Sequence, residues 1–129
     1  MENKEIMLTE SEWSVMKCLW ESSPRTGREL TDILAEEEGW SRSTVLTFLK
    51  RLEDKGAVIS DMDSGVKLFS PLAKQEDVAL REAENLIKKA YKGSISMLLS
   101  AFTKKQTLSR EEIDELYDII QQAEEGGQR

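Results

Sequence analysis

Between Trp40 and Gly56 the chain reads Trp-Ser-Arg-Ser-Thr-Val-Leu-Thr-Phe-Leu-Lys-Arg-Leu-Glu-Asp-Lys-Gly. Its opening gathers Ser41, Arg42, Ser43 and Thr44, with Thr47 one turn further on. These are short hydroxyls and one guanidinium, hydrogen-bonding groups with no carboxylate among them. Groups of this kind suit base edges in the major groove, and the cations that follow, Lys50, Arg51 and Lys55, suit phosphates; the alternative is an ordinary amphipathic helix with a solvated face. Other chemistry is poorly supplied. The chain has no histidine, which removes the commonest general base and the commonest metal ligand. With Cys18 as the single thiol, a tetrahedral zinc site is excluded. Cys18 lies among Val15, Met16 and Leu19 and reads as a small buried hydrophobe. The carboxylate runs Glu36-Glu37-Glu38, Glu111-Glu112 and Glu124-Glu125 read as solvated helix faces. No catalytic residue, metal, cofactor or small-molecule substrate is expected, and the chain is not read as an enzyme.

A helix must position the hydroxyls. Ser41 can cap its start and Gly56 can stop it. Val45, Leu49 and Leu52 recur at helical spacing, with Leu46 and Phe48 widening the apolar stripe. Upstream, Thr9 followed by Glu12 makes a capping box, and Trp13, Met16, Leu19 and Trp20 mark the buried face of a first helix. Ser22-Ser23-Pro24 ends it. Thr26 and Glu29 make a second box, with Leu30, Ile33 and Leu34 on the apolar face and Gly39 as the stop. Arg25 and Arg28 near that start are either phosphate contacts or solvent-exposed charge. Two helices joined by a tight turn have helix-turn-helix spacing.

After Gly56 the period becomes that of strands. Residues 57–61 and 66–70 predict a hairpin, with Met62-Asp63-Ser64-Gly65 as its turn and Pro71 closing the second strand. A helix-turn-helix followed by a hairpin is a winged-helix pattern. The hairpin holds Asp61 and Asp63, and only Lys67 is basic. Downstream, the pattern predicts a long helix from Gln75 to Tyr91, a break at Lys92-Gly93-Ser94 and a short apolar helix through Phe102. Lys104-Lys105-Gln106 reads as a loop. A helix opened by Ser109 and Glu112 follows, with a polar tail from Glu124 to Arg129. The expected class is mainly α with a small β-hairpin wing: a winged helix over 1–72 and a helical dimerisation region over 73–129.

The 129 residues carry a net charge of −7, with 39% hydrophobic and 33% charged residues. Residues 41–55 hold four cations and two anions, a local +2 that leaves −9 elsewhere. Local charge decides binding, because salt screens beyond about 8–10 Å. No apolar run is long enough to cross a membrane and no secretory signal pattern opens the chain, so a cytoplasmic location is expected. The C-terminal helices carry more apolar surface than a small domain covers. Burial against a second copy is expected, through Leu86, Tyr91, Ile95, Leu98, Leu99, Phe102, Leu116, Tyr117 and Ile120. A monomeric helical cap is the alternative.

The chain resembles the penicillinase-repressor family of bacterial regulators, the BlaI/MecI type. The matching residues are Leu8 to Trp13, Val15-Met16-Lys17, Leu19-Trp20, Trp40-Ser41 with Thr44 and Thr47, and Arg51-Leu52 through Lys55-Gly56-Ala57. Ser70-Pro71, Tyr91, Gly93, the stretch from Ser96 to Phe102, Leu108-Ser109, Ile113 and Glu115-Leu116-Tyr117 continue the match. The resemblance implies a homodimeric repressor of transcription that binds double-stranded DNA at a partly palindromic operator. It also implies release by proteolysis, on a signal from a membrane metalloprotease sensor. The bond matching the family's cut is Ala101–Phe102, with Ala101 where better-known members have Asn. Phe102 on a helix also reads as a dimer anchor. The residues assigned to DNA are Ser41, Arg42, Ser43, Thr44, Thr47, Lys50, Arg51 and Lys67. The rival reading is a winged-helix module that binds proteins and not DNA.

Overall fold

The computed structural model describes residues 6–126. The chain divides between Ala83 and Glu84 into two compact units, each described only within that range. The first unit begins with α1 (Glu10–Glu21), β1 (Arg25–Thr26), α2 (Gly27–Glu38) and α3 (Arg42–Lys55). It continues with β2 (Val58–Asp63), β3 (Val66–Pro71) and the first half of α4 (Gln75–Ala90). Both upstream capping boxes form as the sequence requires. The Thr9 amide donates to Glu12 Oε1 at 2.9 Å while the Glu12 amide donates to Thr9 Oγ1 at 3.2 Å. Thr26 and Glu29 repeat this pairing at 2.9 and 3.0 Å. Gly39 and Gly56 end α2 and α3 in the left-handed region, at φ 76° and 84°. A side chain would be strained there.

The core lies where α1, α2 and α3 meet. Val15, Met16, Leu19, Leu30, Leu34, Val45, Leu49 and Leu52 are all buried in it. Leu8, before α1, is buried too, so the expected lead-in is partly core. Trp13 and Trp20 pack edge to face with centroids 5.7 Å apart, and Trp20 Nε1 donates to the Ala73 carbonyl at 2.9 Å. Cys18 is buried, and burial raises its thiol pKa.

The sheet is antiparallel in the order β1-β3-β2. β1 is the strand the sequence pattern did not reveal. Its two residues pair Arg25 with Phe69 and Thr26 with Leu68. Thr26 is both the last residue of that strand and the cap of α2. The hairpin corrects the expected turn. Met62 and Asp63 belong to β2 and pair with Lys67 and Val66, so the turn is Ser64-Gly65 alone. Both turn residues have positive φ, 54° and 81°, the conformation a tight two-residue hairpin demands.

The second unit comprises the end of α4, α5 (Ile95–Lys104) and α6 (Arg110–Gly126). Lys92 and Gly93, at φ 50° and 80°, break the chain between α4 and α5. Ser109 and Glu112 exchange the two hydrogen bonds of a third capping box at α6. The tail beginning at Glu124 is helical through Gly126, and its last three residues lie outside the described range. From residue 84 to 126 no side chain is buried. No helix among the described residues is long and apolar enough to cross a membrane.

Candidate nucleic-acid interface

The geometry of α3 follows from 3.6 residues per turn. Val45, Leu49 and Leu52 point into the core. Ser43, Thr47 and Lys50 fall on the opposite side and are exposed. Arg42 begins the flank that faces the hairpin, and Thr44 and Arg51 lie on the other flank. The helix has no acidic residue in its first turn.

The predicted residues divide by what their polar atoms already do. Ser41 Oγ accepts from the Thr44 amide at 3.3 Å and donates to Thr44 Oγ1 at 3.2 Å, so this hydroxyl is occupied by capping. Ser43 Oγ stands 3.1 Å from Ser41 Oγ. Thr44 is half-buried. Thr47 Oγ1 donates to the Ser43 carbonyl at 2.9 Å, which leaves its oxygen free to accept. Lys50 reaches Asp54 at 3.5 Å across one turn, an exposed pair that contributes little. Arg51 lies over the Phe48 ring at 5.4 Å, and Phe48 packs on Trp40 with centroids 5.0 Å apart. Its guanidinium thus rests against an aromatic pair while the residue stays exposed.

Two cations differ from the sequence expectation. Lys55, counted there with the locally positive face, turns back into the fold. Its Nζ donates to Glu12 Oε1 and to the Met7 carbonyl, the latter at 2.7 Å. Glu12 is 1% exposed. Burial pushes its carboxyl up, but hydrogen bonds from Lys55 and the Thr9 amide outweigh that and hold its pKa below the usual value. The ion pair thus ties the start of α1 to the end of α3. Lys67, on β3, lies 3.9 Å from Glu53 and over the Phe69 ring at 5.5 Å. Ser60 Oγ donates to the other Glu53 oxygen. The hairpin's basic residue is thereby partly neutralised.

Of two further features of this face, the sequence left the first, Arg28, open between phosphate contact and exposed charge, and missed the second, the exposure of Leu46. Arg28, on α2, shares a cleft of about 420 Å³ with Arg42, Lys50 and Lys67, and among the described residues Arg42 carries no ion pair. Leu46, assigned to the apolar stripe, is 37% exposed and lines that cleft instead. Its wheel position, far from the buried centre and close to Lys50, was the available signal.

The dimerisation residues fall in the second unit. Leu86 is on α4 and Tyr91 just beyond its end. Ile95, Leu98, Leu99 and Phe102 are on α5, and Leu116, Tyr117 and Ile120 on α6. Leu86, Ile95, Phe102, Tyr117 and Ile120 are 40–68% exposed, and the other four are half-buried. Ala101, half-buried, and Phe102 sit inside α5 with their peptide bond in helical conformation.

The model of the family described as "Penicillinase repressor" matches residues 8–122. The methicillin resistance regulatory protein MecI of Staphylococcus aureus (strain N315) is 29% identical over 120 residues, covering 93% of this chain and 98% of MecI. The penicillinase repressor of Bacillus licheniformis is 29% identical over 115 residues, covering 89% of this chain and 90% of that protein. Among solved structures, the DNA-binding domain of the repressor BlaI superposes with a TM-score of 0.53 at 29% identity, covering 59% of this chain and 93% of that one. The monomeric form of Bacillus licheniformis BlaI in complex with the blaP half-operator gives 0.52 at 30% identity, covering 57% and 90%.

Proposed function

The chain belongs to the penicillinase repressor family, and on that premise we propose that it works as a homodimer, presenting two α3 helices to a palindromic operator. At the level of the family it is a DNA-binding repressor of transcription and not an enzyme. The observation that carries the reading is the exposed, carboxylate-free opening of α3, with Ser43, Thr47 and Lys50 set opposite its buried leucines. It stands on a domain like the one BlaI uses with half-operator DNA. Arg42, Ser43 and Thr47 meet base edges, while Ser41 and Thr44 shape the turn that delivers them. Lys50, Arg51 and, more weakly, Lys67 meet phosphates.

The second unit joins the copies. Its exposed apolar residues on α5 and α6 have no core of their own to enter, and a second copy covers them by symmetry. Two recognition helices about 34 Å apart then meet successive major-groove turns. Release follows when a membrane metalloprotease sensor causes a cut at Ala101–Phe102, after local unwinding of α5. Linked half-sites gain about 10²–10⁴ in avidity, which separation removes.

One observation favours a second reading, a protein-binding winged helix. The hairpin is acidic at Asp61 and Asp63, and its Lys67 is drawn to Glu53. A salt titration with random and promoter-derived duplexes decides between them. The repressor reading requires affinity that falls steeply with salt and a preferred sequence that Arg42→Ala relaxes at one position, by roughly 1–3 kcal/mol. Absence of binding at any salt sinks it.

A further inference from the structure

We propose that Leu46 is itself a specificity contact, reading the methyl group of a thymine in the major groove. The inference rests on the DNA-binding reading. Arg42, Ser43, Leu46, Thr47 and Lys50 form one exposed stripe along α3, and Leu46 is its single apolar member. It stands one turn from Arg42 and one turn from Lys50, all three on the wall of the cleft that Arg28 and Lys67 share.

The side chain is seated there by a missing atom. At Gly27, the first residue of α2, a Cβ would come 3.3 Å from Leu46 Cδ2 and 3.8 Å from the Phe69 ring. Glycine at that position lets Leu46 Cδ2 pack close against the start of α2, while the side chain stays 37% exposed. Base edges in the major groove offer donors, acceptors and a single apolar group, the C5 methyl of thymine. A leucine brought against any other edge leaves a polar atom stripped of water with no partner. Against thymine it buries a methyl group. The neighbouring cations hold the duplex close enough for that contact to be made.

The test uses a duplex that the full chain selects from a random-sequence pool. Each thymine is replaced in turn by deoxyuridine, which lacks only the methyl. At the thymine facing Leu46, affinity of the parent drops about fourfold, the equivalent of roughly 0.8 kcal/mol for one buried methyl-sized group. Leu46→Ala binds the thymine and uracil duplexes equally, and Leu46→Met keeps the preference. Each ratio is taken within one variant, so a change in folded fraction cancels. Three results overturn the proposal while leaving DNA binding intact: a parent indifferent to every replacement, the same drop in Leu46→Ala, or a selected site free of thymine. Failure to enrich any sequence removes the DNA-binding reading, and the proposal falls with it.

Discussion

The two units use similar helices for opposite ends. In the first, the apolar faces of α1, α2 and α3 close on one another, and eight side chains among Val15, Met16, Leu19, Leu30, Leu34, Val45, Leu49 and Leu52 are at most 1% exposed. In the second, Ile113, Leu116, Tyr117 and Ile120 follow the same i, i+3, i+4, i+7 rule on α6, yet none is buried. Periodicity therefore marks a face that needs covering and is silent about what covers it. A fold supplies the cover in one region. In the other we assign it to a second copy.

Removing the second region gives the largest effect. A chain stopped after Lys92 should keep a cooperative melt from the first unit and lose dimerisation in sedimentation. Its occupancy of a full operator should fall by about 10²–10⁴. A truncated chain that still pairs and still protects its operator would break the comparison. Paired substitutions sharpen it. Leu52→Ala should lower unfolding free energy by about 2–5 kcal/mol in denaturant titrations at any protein concentration. Ile120→Ala should leave the first unit's stability alone and weaken self-association, so that sedimentation shows the dimer dissociating at a higher protein concentration than the parent.

The Glu12–Lys55 pair tests what holds the first region together. Glu12→Gln should cost about 1–3 kcal/mol, since the buried acceptor loses its charge. The sign with pH follows from the lowered carboxyl pKa. The pair's contribution is present in full above the ordinary carboxylate range, and it disappears as pH falls through the folded value. Parent and Glu12→Gln stabilities should therefore converge in acid. The smallest effect belongs to the hairpin. Glu53→Gln frees Lys67 and should raise affinity by a few-fold at most. The plot of log affinity against log salt should steepen by about 0.9.

Local signals were the legible ones. The boundaries of α3 follow from Ser41 and Gly56, and both upstream capping boxes could be read from four residues each, because cap and partner are three positions apart. What the sequence withheld was long-range or short of a period. Lys55 finds Glu12 at a separation of 43 residues, so its charge looked available when it was not. β1 spans two residues, too few for alternation to register. The wheel position of Leu46 hinted at exposure, but the cleft it lines needed the hairpin and Gly27 to mark it out. The candidate interface was thus legible as a set of types on one helix, while the working state of each hydroxyl and cation needed the neighbours.

Thr26 belongs at once to the sheet and to the first turn of α2. The hairpin is consequently a cantilever: clamped at Leu68 and Phe69, it projects unsupported through Met62, Ser64 and Gly65. Lengthening its free end would alter reach without disturbing the clamp. One residue inserted between Pro24 and Gly27 would shear the clamp and carry the neighbouring helix with it. Evolution can retune how far this arm extends at little risk to the body that carries it.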